Sequence, residues 1–333
     1  MYFDDVLGQE DIKTHLESAI KSGKISHAYL FTGEEGMGKL MMARAFAQAL
    51  LCEEKAPGET RPCGTCHSCR QADSLNHPDI IFFRPGDAPD RKVSDYARSK
   101  VVGDMQTRPY QSKYKIYIIE EAHTLSEQVQ NILLKSIEEP PSYVISILLC
   151  ANRRMMIPTI LSRCVEMPFR PVATSRIVSY LKQNYEITDA EAQENASFAF
   201  GNVGRAIRQS EDSGYRQRRE SVIGLLSGFH EKGAYEWMPL IGTIGKDRAL
   251  AGEYVDLIGE WLRDVLFYKT GAKKGDLCYD KQEYALKDMA EAMSFEDIDR
   301  ALRGVEVARR HLAAAVDIEL VMLNLFDSFL PRD

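Results

Sequence analysis

The sequence predicts an α/β domain with a parallel sheet, followed by two regions that contain only helices. Short apolar runs alternate with helical patterns as far as Pro168, and a glycine-rich loop lies between the first apolar run and the next helix. Beyond Pro168 only helical patterns remain. Because strands that alternate with helices are joined by helical crossovers, we expect the sheet to be parallel and covered on both faces.

The predicted elements of the α/β domain follow one another in a regular order. Ile12, Leu16 and Ile20 recur at helical spacing and predict a helix at 11–20. An Ala- and Met-rich stretch without a breaker predicts a second helix at 39–51. A third helical pattern, at 126–138, ends before Pro140. The buried strands are predicted at 27–32, 79–83, 115–119 and 144–150.

Helical patterns alone fill the rest of the chain. From 221 to 330 they are interrupted at Gly275 and Ser294, and Ser294 can cap the last helix, with a break expected near Ala315. The two tryptophans of this region fit either a helical core or an interface. The shorter helices between Pro168 and this region are predicted at 174–185, 189–200 and 203–210.

Length and composition exclude several classes of protein. A chain of 333 residues with 44% hydrophobic and 27% charged residues is expected to form two or three ordinary globular domains. No apolar run reaches the roughly 18 residues of a membrane span, so we expect no membrane partner. The acidic start at 1–5 lacks the features of a signal peptide, and we expect a cytoplasmic location. A net charge of −7 argues against non-specific binding of nucleic acid by the whole chain.

The glycine-rich loop carries one unexpected residue. Gly33, Gly36, Gly38 and Lys39 fit a phosphate-binding loop, but Leu40 stands where the pattern requires Ser or Thr. In such a loop backbone N–H groups surround the phosphates, the lysine reaches the outer phosphates, and the hydroxyl holds magnesium. A plain glycine-rich turn is the alternative, although the strand and helix on either side favour the phosphate loop.

An acidic pair, Glu120 and Glu121, follows the predicted strand 115–119. The first acid of such a pair is normally an aspartate that helps to hold magnesium. Because Leu40 and Glu120 both depart from the pattern at magnesium positions, we expect that ATP hydrolysis has been lost. Binding of ATP with Mg²⁺ is accordingly doubtful. The alternative interpretation of the acidic pair is that it is only the solvated end of a strand.

Four cysteines cluster within one short segment. Cys52, Cys63, Cys66 and Cys69 have spacings that suit a tetrahedral zinc ion, and His67 is not needed to complete the set. A closed four-cysteine site leaves no position for water, so the zinc is expected to be structural. Without zinc, we expect the segment from 52 to 70 to be disordered. Free thiols and a redox role for one CxxC pair are the alternatives.

Several motifs together resemble one known family. They are Leu7-Gly8-Gln9, the run at 27–31 before the glycine loop, the four-cysteine insert, and Leu161-Ser162-Arg163-Cys164. In this combination the chain resembles bacterial clamp-loader subunits, which are AAA+ proteins of the DNA polymerase III holoenzyme. The resemblance implies an AAA+ P-loop domain at 1–168 with a zinc module at 52–69, a helical lid at 169–212 and a helical collar for oligomerisation at 213–333.

The resemblance also implies roles for single residues. Arg163 matches an arginine finger that is supplied to the ATP of a neighbouring subunit. Asn152 matches a polar sensor that orients the attacking water, although its spacing from Arg163 is one residue short. In the lid, Arg205 lies one position beyond the arginine that senses phosphate in active relatives, and one residue turns a helical side chain by about 100°.

Three hypotheses follow from these residues. The favoured one is an ATPase-deficient stator of the delta-prime type, which donates Arg163 to a neighbour. Its implied partners are gamma/tau and delta subunits, and through the complex the sliding clamp and primed DNA. The second is an active motor of the gamma/tau type, in which Lys39, Glu120 and Glu121 suffice for catalysis. The third is a diverged AAA+ regulator with another partner.

Overall fold

The computed structural model of this protein describes residues 1–56, 58–88, 92–212, 214–228, 234–272 and 277–329. The chain divides into two units, Met1–Ser210 and Glu211–Asp333. Gly275, which the sequence predicts as a break between helices, lies outside the described residues. The predicted boundary near 168 between an α/β domain and a lid falls inside the first unit and stays a prediction.

The first unit alternates strands and helices along the chain. Its elements are α1 (Glu10–Ser22), β1 (Ala28–Thr32), α2 (Lys39–Leu51), α3 (His67–Asp73), β2 (Ile80–Phe83), α4 (Val93–Ala97), β3 (Lys115–Ile119), α5 (Glu127–Glu138), β4 (Val144–Cys150), α6 (Pro158–Leu161), β5 (Val165–Pro168), α7 (Thr174–Asn184), α8 (Asp189–Phe198) and α9 (Val203–Glu211). In the described part of the unit, the strands form one sheet in the order β2-β3-β4-β1-β5, and every neighbouring pair is parallel.

The sheet has an apolar core on each face. Its three central strands, β3, β4 and β1, are buried along their whole length. Since successive strand residues point to opposite faces, Phe31 packs in the cluster that includes α1 and α2, whereas Leu30 packs in the cluster that includes α5. The predicted parallel sheet with helices on both sides is therefore confirmed.

The carboxyl ends of the strands position the candidate site. In open parallel sheets ligands bind outside these ends. The glycine loop follows β1, the acidic pair follows β3, and Asn152 lies two residues beyond β4. Because β4 lies between β3 and β1, the loop and the acidic pair are brought to the same edge of the sheet.

The helices α7, α8 and α9 form a third apolar cluster in the first unit. It includes Ile177 and Leu181 of α7 and Ala196 of α8, all fully buried. Thr188 starts α8 with a capping box, in which its hydroxyl accepts from the N–H of Glu191 and the Glu191 carboxylate accepts from the N–H of Thr188. The predicted short helices of the lid region are thus confirmed.

The second unit is helical throughout its described residues, as the sequence predicts. Both tryptophans are core residues: Trp261 packs edge-on against Tyr279 with ring centroids 4.9 Å apart, and Trp237 stacks on Phe326. No helix in the described parts of the chain has the length and apolar character that crossing a membrane requires. The helices are α10 (Tyr215–Leu226), α11 (Met238–Ile244), α12 (Arg248–Lys269), α13 (Glu283–Ala292), α14 (Phe295–Ala313) and α15 (Ile318–Asp327).

Most predicted boundaries agree with the structure. The ten elements predicted individually begin and end within two residues of the observed ones. The break expected near Ala315 separates α14 from α15, and Ala315 has φ 59°. The sequence analysis missed β5 and the short helices α3, α4 and α6. The strand β5 has only four residues and ends in a proline, so it is too short to show the alternating pattern by which a strand is recognised. The helix α3 lies inside the cysteine insert.

Candidate nucleotide cleft and metal centre

The glycine loop adopts a conformation that requires its glycines. Gly33, Gly36 and Gly38 have φ values of 142°, 86° and 88°, which place them in the region that favours glycine. At Gly36 a side chain is also excluded by space, because an added Cβ would lie 2.5 Å from Oδ1 of Asn202. The loop ends where α2 begins at Lys39, so the amino end of this helix faces the candidate phosphate site.

Lys39 folds back onto the loop that it follows. Its Nζ donates to the carbonyl oxygens of Gly33 and Glu34, at 2.5 and 2.6 Å. Burial of the ammonium group lowers the pKa of Lys39. The loop carbonyls therefore satisfy this ammonium within the protein, at the position where a phosphate loop presents its lysine to the ligand.

The turn before α9 is bonded directly to the glycine loop. The Nδ2 group of Asn202 donates to the carbonyl of Glu35 at 2.7 Å, and the N–H of Gly204 donates to the carbonyl of Gly36 at 2.9 Å. The backbones meet so closely that a Cβ on Gly204 would lie 2.7 Å from Cα of Gly36. Asn202 is buried, and its Oδ1 accepts the N–H of Arg205. The lid region is thus joined to the phosphate loop by one side-chain and one backbone hydrogen bond, both to carbonyls of the loop.

A cleft of about 560 Å³ opens beside this loop, a volume in the range of small-molecule sites. The structure brings Gly36, Gly38, Lys39 and Leu40 together there with both acids of the predicted pair, whereas Gly33 lies outside the lining. His123 was missed by the sequence analysis, and its only signal was its place two residues after the acidic pair. The lining residues are Glu35, Gly36, Gly38, Lys39, Leu40, Met41, Glu120, Glu121, His123, Thr124, Leu149, Ala151 and Gly204.

The donor set of the cleft does not fit magnesium. Leu40 lines the cleft and packs against the apolar cluster of α1 and α2, and it offers no oxygen. The carboxylate of Glu120 is engaged elsewhere, since its Oε2 accepts from Nη2 of Arg84 at 2.8 Å. Magnesium requires oxygen ligands in near-octahedral geometry. Both side chains that would supply such oxygens in a working phosphate-loop enzyme are therefore unsuited to this ion.

Glu121 and His123 are two further polar residues of the cleft lining. Glu121 is exposed and has φ 48°, a left-handed conformation that is uncommon outside glycine. Nδ1 of His123 accepts the N–H of Ala151 at 3.3 Å, which links the ends of β3 and β4. Burial lowers the pKa of His123 and favours the neutral ring that this hydrogen bond requires.

Besides Gly33, three residues that the sequence analysis singled out lie outside the lining of the cleft. The side chain of Asn152 accepts the N–H of Arg154 and caps a short turn. The guanidinium of Arg205 lies over the ring of Phe200, 5.5 Å from its centroid. Arg163 forms an ion pair with Glu138 at 2.9 Å and donates to nearby oxygen atoms of its own segment.

Arg163 is positioned at the surface by a short segment between α6 and β5. Its Nη1 donates to the carbonyl of Thr159 and to Oγ of Ser162, and Glu138 binds the other side of the guanidinium. The side chain remains 40% exposed. The guanidinium is therefore held by several acceptors and is still accessible from outside this chain.

The four clustered cysteines converge on one point. The sulfur atoms of Cys52, Cys63, Cys66 and Cys69 all lie within 4.8 Å of one another, and those of Cys63 and Cys69 are 4.0 Å apart. Four sulfurs about 2.3 Å from a tetrahedral zinc ion lie about 3.8 Å from one another. The cluster can therefore hold a metal ion. His67 is exposed and is not part of it.

Backbone N–H groups donate hydrogen bonds that favour the binding of a cation by these sulfurs. The N–H groups of Cys63, Cys66 and Cys69 donate to the sulfurs of Cys52, Cys63 and Cys66, respectively, at 3.3–3.4 Å. Hydrogen bonds from backbone N–H groups lower the pKa of Cys63 to about 6. Burial raises the pKa of Cys52 and of Cys69. Donated N–H bonds of this kind orient and stabilise thiolate ligands.

The cysteine module is anchored to the α/β core through α3. The Oγ of Ser68 donates to the carbonyl of Leu51 at 2.7 Å and contacts the buried ring of His77 at 3.0 Å. The Nε2 group of Gln48 donates to the carbonyl of Cys69. These bonds hold α3 against the end of α2 and so attach the module to the sheet domain.

Two family models match the chain. One, described as "DNA polymerase III, delta subunit", matches residues 8–173, and the other, described as "DNA polymerase III, delta subunit, C terminal", matches residues 215–329. The first covers the sheet and the cysteine module, and the second covers most of the helical unit. Together they match most of the chain.

Individual relatives carry related names. The chain is 33% identical to DNA polymerase III subunit tau/gamma of Haemophilus influenzae, across 68% of this chain and 33% of that protein. It is 27% identical to DNA polymerase III subunit delta' of Bacillus subtilis, across 93% of this chain and 92% of that protein. It thus spans about a third of the first relative and nearly all of the second. A solved gamma subunit-related protein from Thermotoga maritima is 15% identical with a TM-score of 0.48, across 96% of this chain and 97% of that one.

The cysteine cluster predicts a bound structural metal. Purified protein should contain about one zinc ion per chain, and Cys69→Ser should lose most of it because a four-ligand site loses one ligand. Cys278→Ser is the control, since Cys278 lies outside the cluster. Metal analysis measures the zinc, and hydrogen exchange of residues 60–70 measures local order. A wild-type protein without zinc, or a fully loaded Cys69→Ser, would contradict this prediction.

The close contact between the lid region and the loop predicts a local loss of stability. Gly204→Ala should weaken the attachment of α9 by about 1–3 kcal/mol, because its Cβ has no room beside Gly36. Gly224→Ala is the matched helical control: nothing lies within 4 Å of the added Cβ, and a gain of about 0.5–1 kcal/mol is expected. Hydrogen exchange of the α9 and α10 amides measures both changes. Equal effects in the two variants would refute this account.

Proposed function

This chain belongs to the family of DNA polymerase III clamp-loader subunits, and on that premise we propose that it is a delta-prime-type stator without ATPase activity of its own. The observation that carries the proposal is the donor set of the cleft, where Leu40 supplies no oxygen and Glu120 is bound to Arg84. Magnesium bridges the outer phosphates and neutralises charge as the phosphoryl group is transferred. A cleft that cannot hold the ion lacks that stabilisation.

The similarity to the delta' relative supports the same assignment: the two sequences are 27% identical, across 93% of this chain and 92% of that protein. In this interpretation the helical unit is a collar that joins gamma/tau and delta subunits, and the sliding clamp and primed DNA are met through the complex. The cysteine module holds a structural zinc ion and takes no part in catalysis.

Arg163 is the residue that we assign to a neighbouring subunit. Its guanidinium lies outside the lining of this chain's cleft, is 40% exposed and is held by Glu138, Thr159 and Ser162. An arginine supplied from outside to a transferring phosphoryl group can accelerate transfer by about 10³–10⁵-fold. Arginine suits this role because it stays charged and its planar fork matches phosphate oxygens. A subunit without its own ATPase can therefore still serve the ATP of its neighbour.

Exposed apolar residues of the helical unit support an assembly role. Leu320 and Leu323 are 52% and 40% exposed and lie three positions apart on α15, so they share one face of that helix. Val321, Leu325 and Phe326 on the same helix are buried in the unit. An apolar face left outside the core is the kind of surface that a partner helix covers.

An active motor of the gamma/tau type is the alternative. Lys39 and Glu121 are both present at the cleft, and the tau/gamma relative shares 33% identity. This alternative requires that Glu120 leave Arg84 and that metal bind without a hydroxyl at position 40. The two proposals predict opposite results for the isolated chain.

The isolated protein should not turn over ATP. We expect no steady-state hydrolysis above the background without protein, because the metal positions are unsuited to magnesium. Lys39→Ala serves as the matched blank, and the two proteins should give the same rate. A phosphate-release assay with excess MgCl₂ measures both. Turnover by the wild type that disappears in Lys39→Ala would defeat the stator proposal and favour the motor.

A reconstituted loader tests the arginine. With candidate gamma/tau and delta subunits, Arg163→Ala should lower ATPase and clamp loading, because one ATP site loses a stabilising charge worth about 10³-fold or more at that site. The complex should still assemble, as size-exclusion chromatography can verify. Arg154→Ala is the control, since this exposed arginine lies in the neighbouring turn. Unchanged rates in an intact Arg163→Ala complex would reject the assignment.

A further inference from the structure

The first acid of the pair is bound to a cation of the protein itself. Oε2 of Glu120 accepts from Nη2 of Arg84 at 2.8 Å, and the carboxylate side chain is only 13% exposed. We propose that Arg84 is a positioning residue that holds Glu120 in the place of a divalent cation. The inference deepens the proposed function, on which it rests, by naming the group that replaces the metal at this acid.

The register of the sheet brings these two residues together. Phe83 and Ile119 are paired across β2 and β3, and the N–H of Glu120 donates to the carbonyl of Phe83 at 2.9 Å. Arg84 and Glu120 are the next residues of their strands, so they emerge side by side at the carboxyl edge of the sheet. Their contact therefore follows from a backbone pairing and does not depend on two flexible surface side chains meeting by chance.

The strand order decides where Glu120 is held. Arg84 follows β2, the edge strand on one side of β3, whereas the phosphate loop follows β1, which lies beyond β4 on the other side. The bond to Arg84 therefore fixes one carboxylate oxygen on the side away from the phosphate loop. An acid that helps to hold magnesium has to direct its oxygens toward the phosphates.

Electrostatics explain why a cation is needed at this point. A poorly solvated carboxylate without a counter-charge is strongly destabilising. In a metal-binding relative the ion supplies that charge, and here the half-exposed guanidinium of Arg84 supplies it. The hydrogen bond to Glu120 raises the pKa of Arg84, and its charge persists throughout the physiological range. Glu120 thus keeps a counter-charge without a metal ion.

This arrangement predicts the class of ligand that the cleft accepts. The backbone of the loop, Lys39 and the amino end of α2 still favour a phosphate. Because Leu40 supplies no oxygen and the carboxylate of Glu120 is bound to Arg84, however, a nucleotide binds in this cleft without its magnesium ion. Restoring the hydroxyl at position 40 alone does not restore a metal site, because Arg84 still holds the acid.

A set of five proteins tests the role of Arg84. They are the wild type, Leu40→Thr, Arg84→Gln, the double variant Leu40→Thr/Arg84→Gln, and the control Leu40→Thr/Arg98→Gln. Arg98 is a matched control because it also forms an ion pair with an acid, Asp95, and neither residue belongs to the cleft lining. The affinity of each protein for a fluorescent N-methylanthraniloyl ATP is measured in MgCl₂ and in EDTA, and circular dichroism verifies that each is folded.

The ratio of the two affinities is the decisive quantity. We expect MgCl₂ to change the affinity by less than about twofold in the wild type, both single variants and the control. In Leu40→Thr/Arg84→Gln, magnesium should tighten binding at least about tenfold, because a hydroxyl and a freed carboxylate are then both present.

Three results would overturn the role of Arg84. The first is that magnesium tightens nucleotide binding by Leu40→Thr alone as much as we expect for Leu40→Thr/Arg84→Gln. The second is that magnesium has no effect on nucleotide binding by the folded Leu40→Thr/Arg84→Gln variant. The third is that magnesium has the same effect on the control Leu40→Thr/Arg98→Gln as on Leu40→Thr/Arg84→Gln. Absence of nucleotide binding in all five proteins would also overturn it. Hydrolysis of ATP by the wild type is a separate readout on the same samples and decides the stator proposal instead.

Discussion

The parallel pairing of β2, β3, β4 and β1 is the constraint on which the site depends. Because all four strands end at one edge, the residues that follow them converge there although they lie far apart in the sequence. The glycine loop, the acidic pair and Ala151 are brought to one cleft in this way. The same pairing also sets Arg84 beside Glu120. The architecture of a nucleotide cleft and the group that excludes the metal thus share a single cause.

Hydrogen bonds and close packing surround the glycine loop on the side of the lid region. Asn202 and Gly204 bond to the carbonyls of Glu35 and Gly36, and neither glycine has room for a side chain. Lys39 is satisfied by carbonyls of the same loop. Close-packed backbones transmit displacement with little slack. These contacts couple the lid region closely to the phosphate loop.

The proposed function separates two tasks that an active clamp-loader subunit combines. The cleft keeps the shape of a nucleotide site without the donors for magnesium, whereas Arg163 remains accessible on a short segment outside it. The cysteine module is bonded to α2 through Ser68 and Gln48. In the proposed function it has a structural role, and the chemistry that Arg163 serves is performed at a neighbour's site.

The sequence by itself determined the local structure and the chemical character of the site. Helical and strand periodicity predicted the bounds of ten elements to within two residues. Leu40 indicated that the loop lacks the hydroxyl oxygen that holds magnesium, and the spacing of the four cysteines predicted their cluster. Only the tertiary structure decided that Arg84 holds Glu120, that Gly204 contacts Gly36, and that Glu138 binds Arg163. Helical and strand periodicity follows from the local conformation of the chain, so it can be recognised within a short stretch of sequence. Partners that lie tens of residues apart depend on strand order and packing, which no local period encodes.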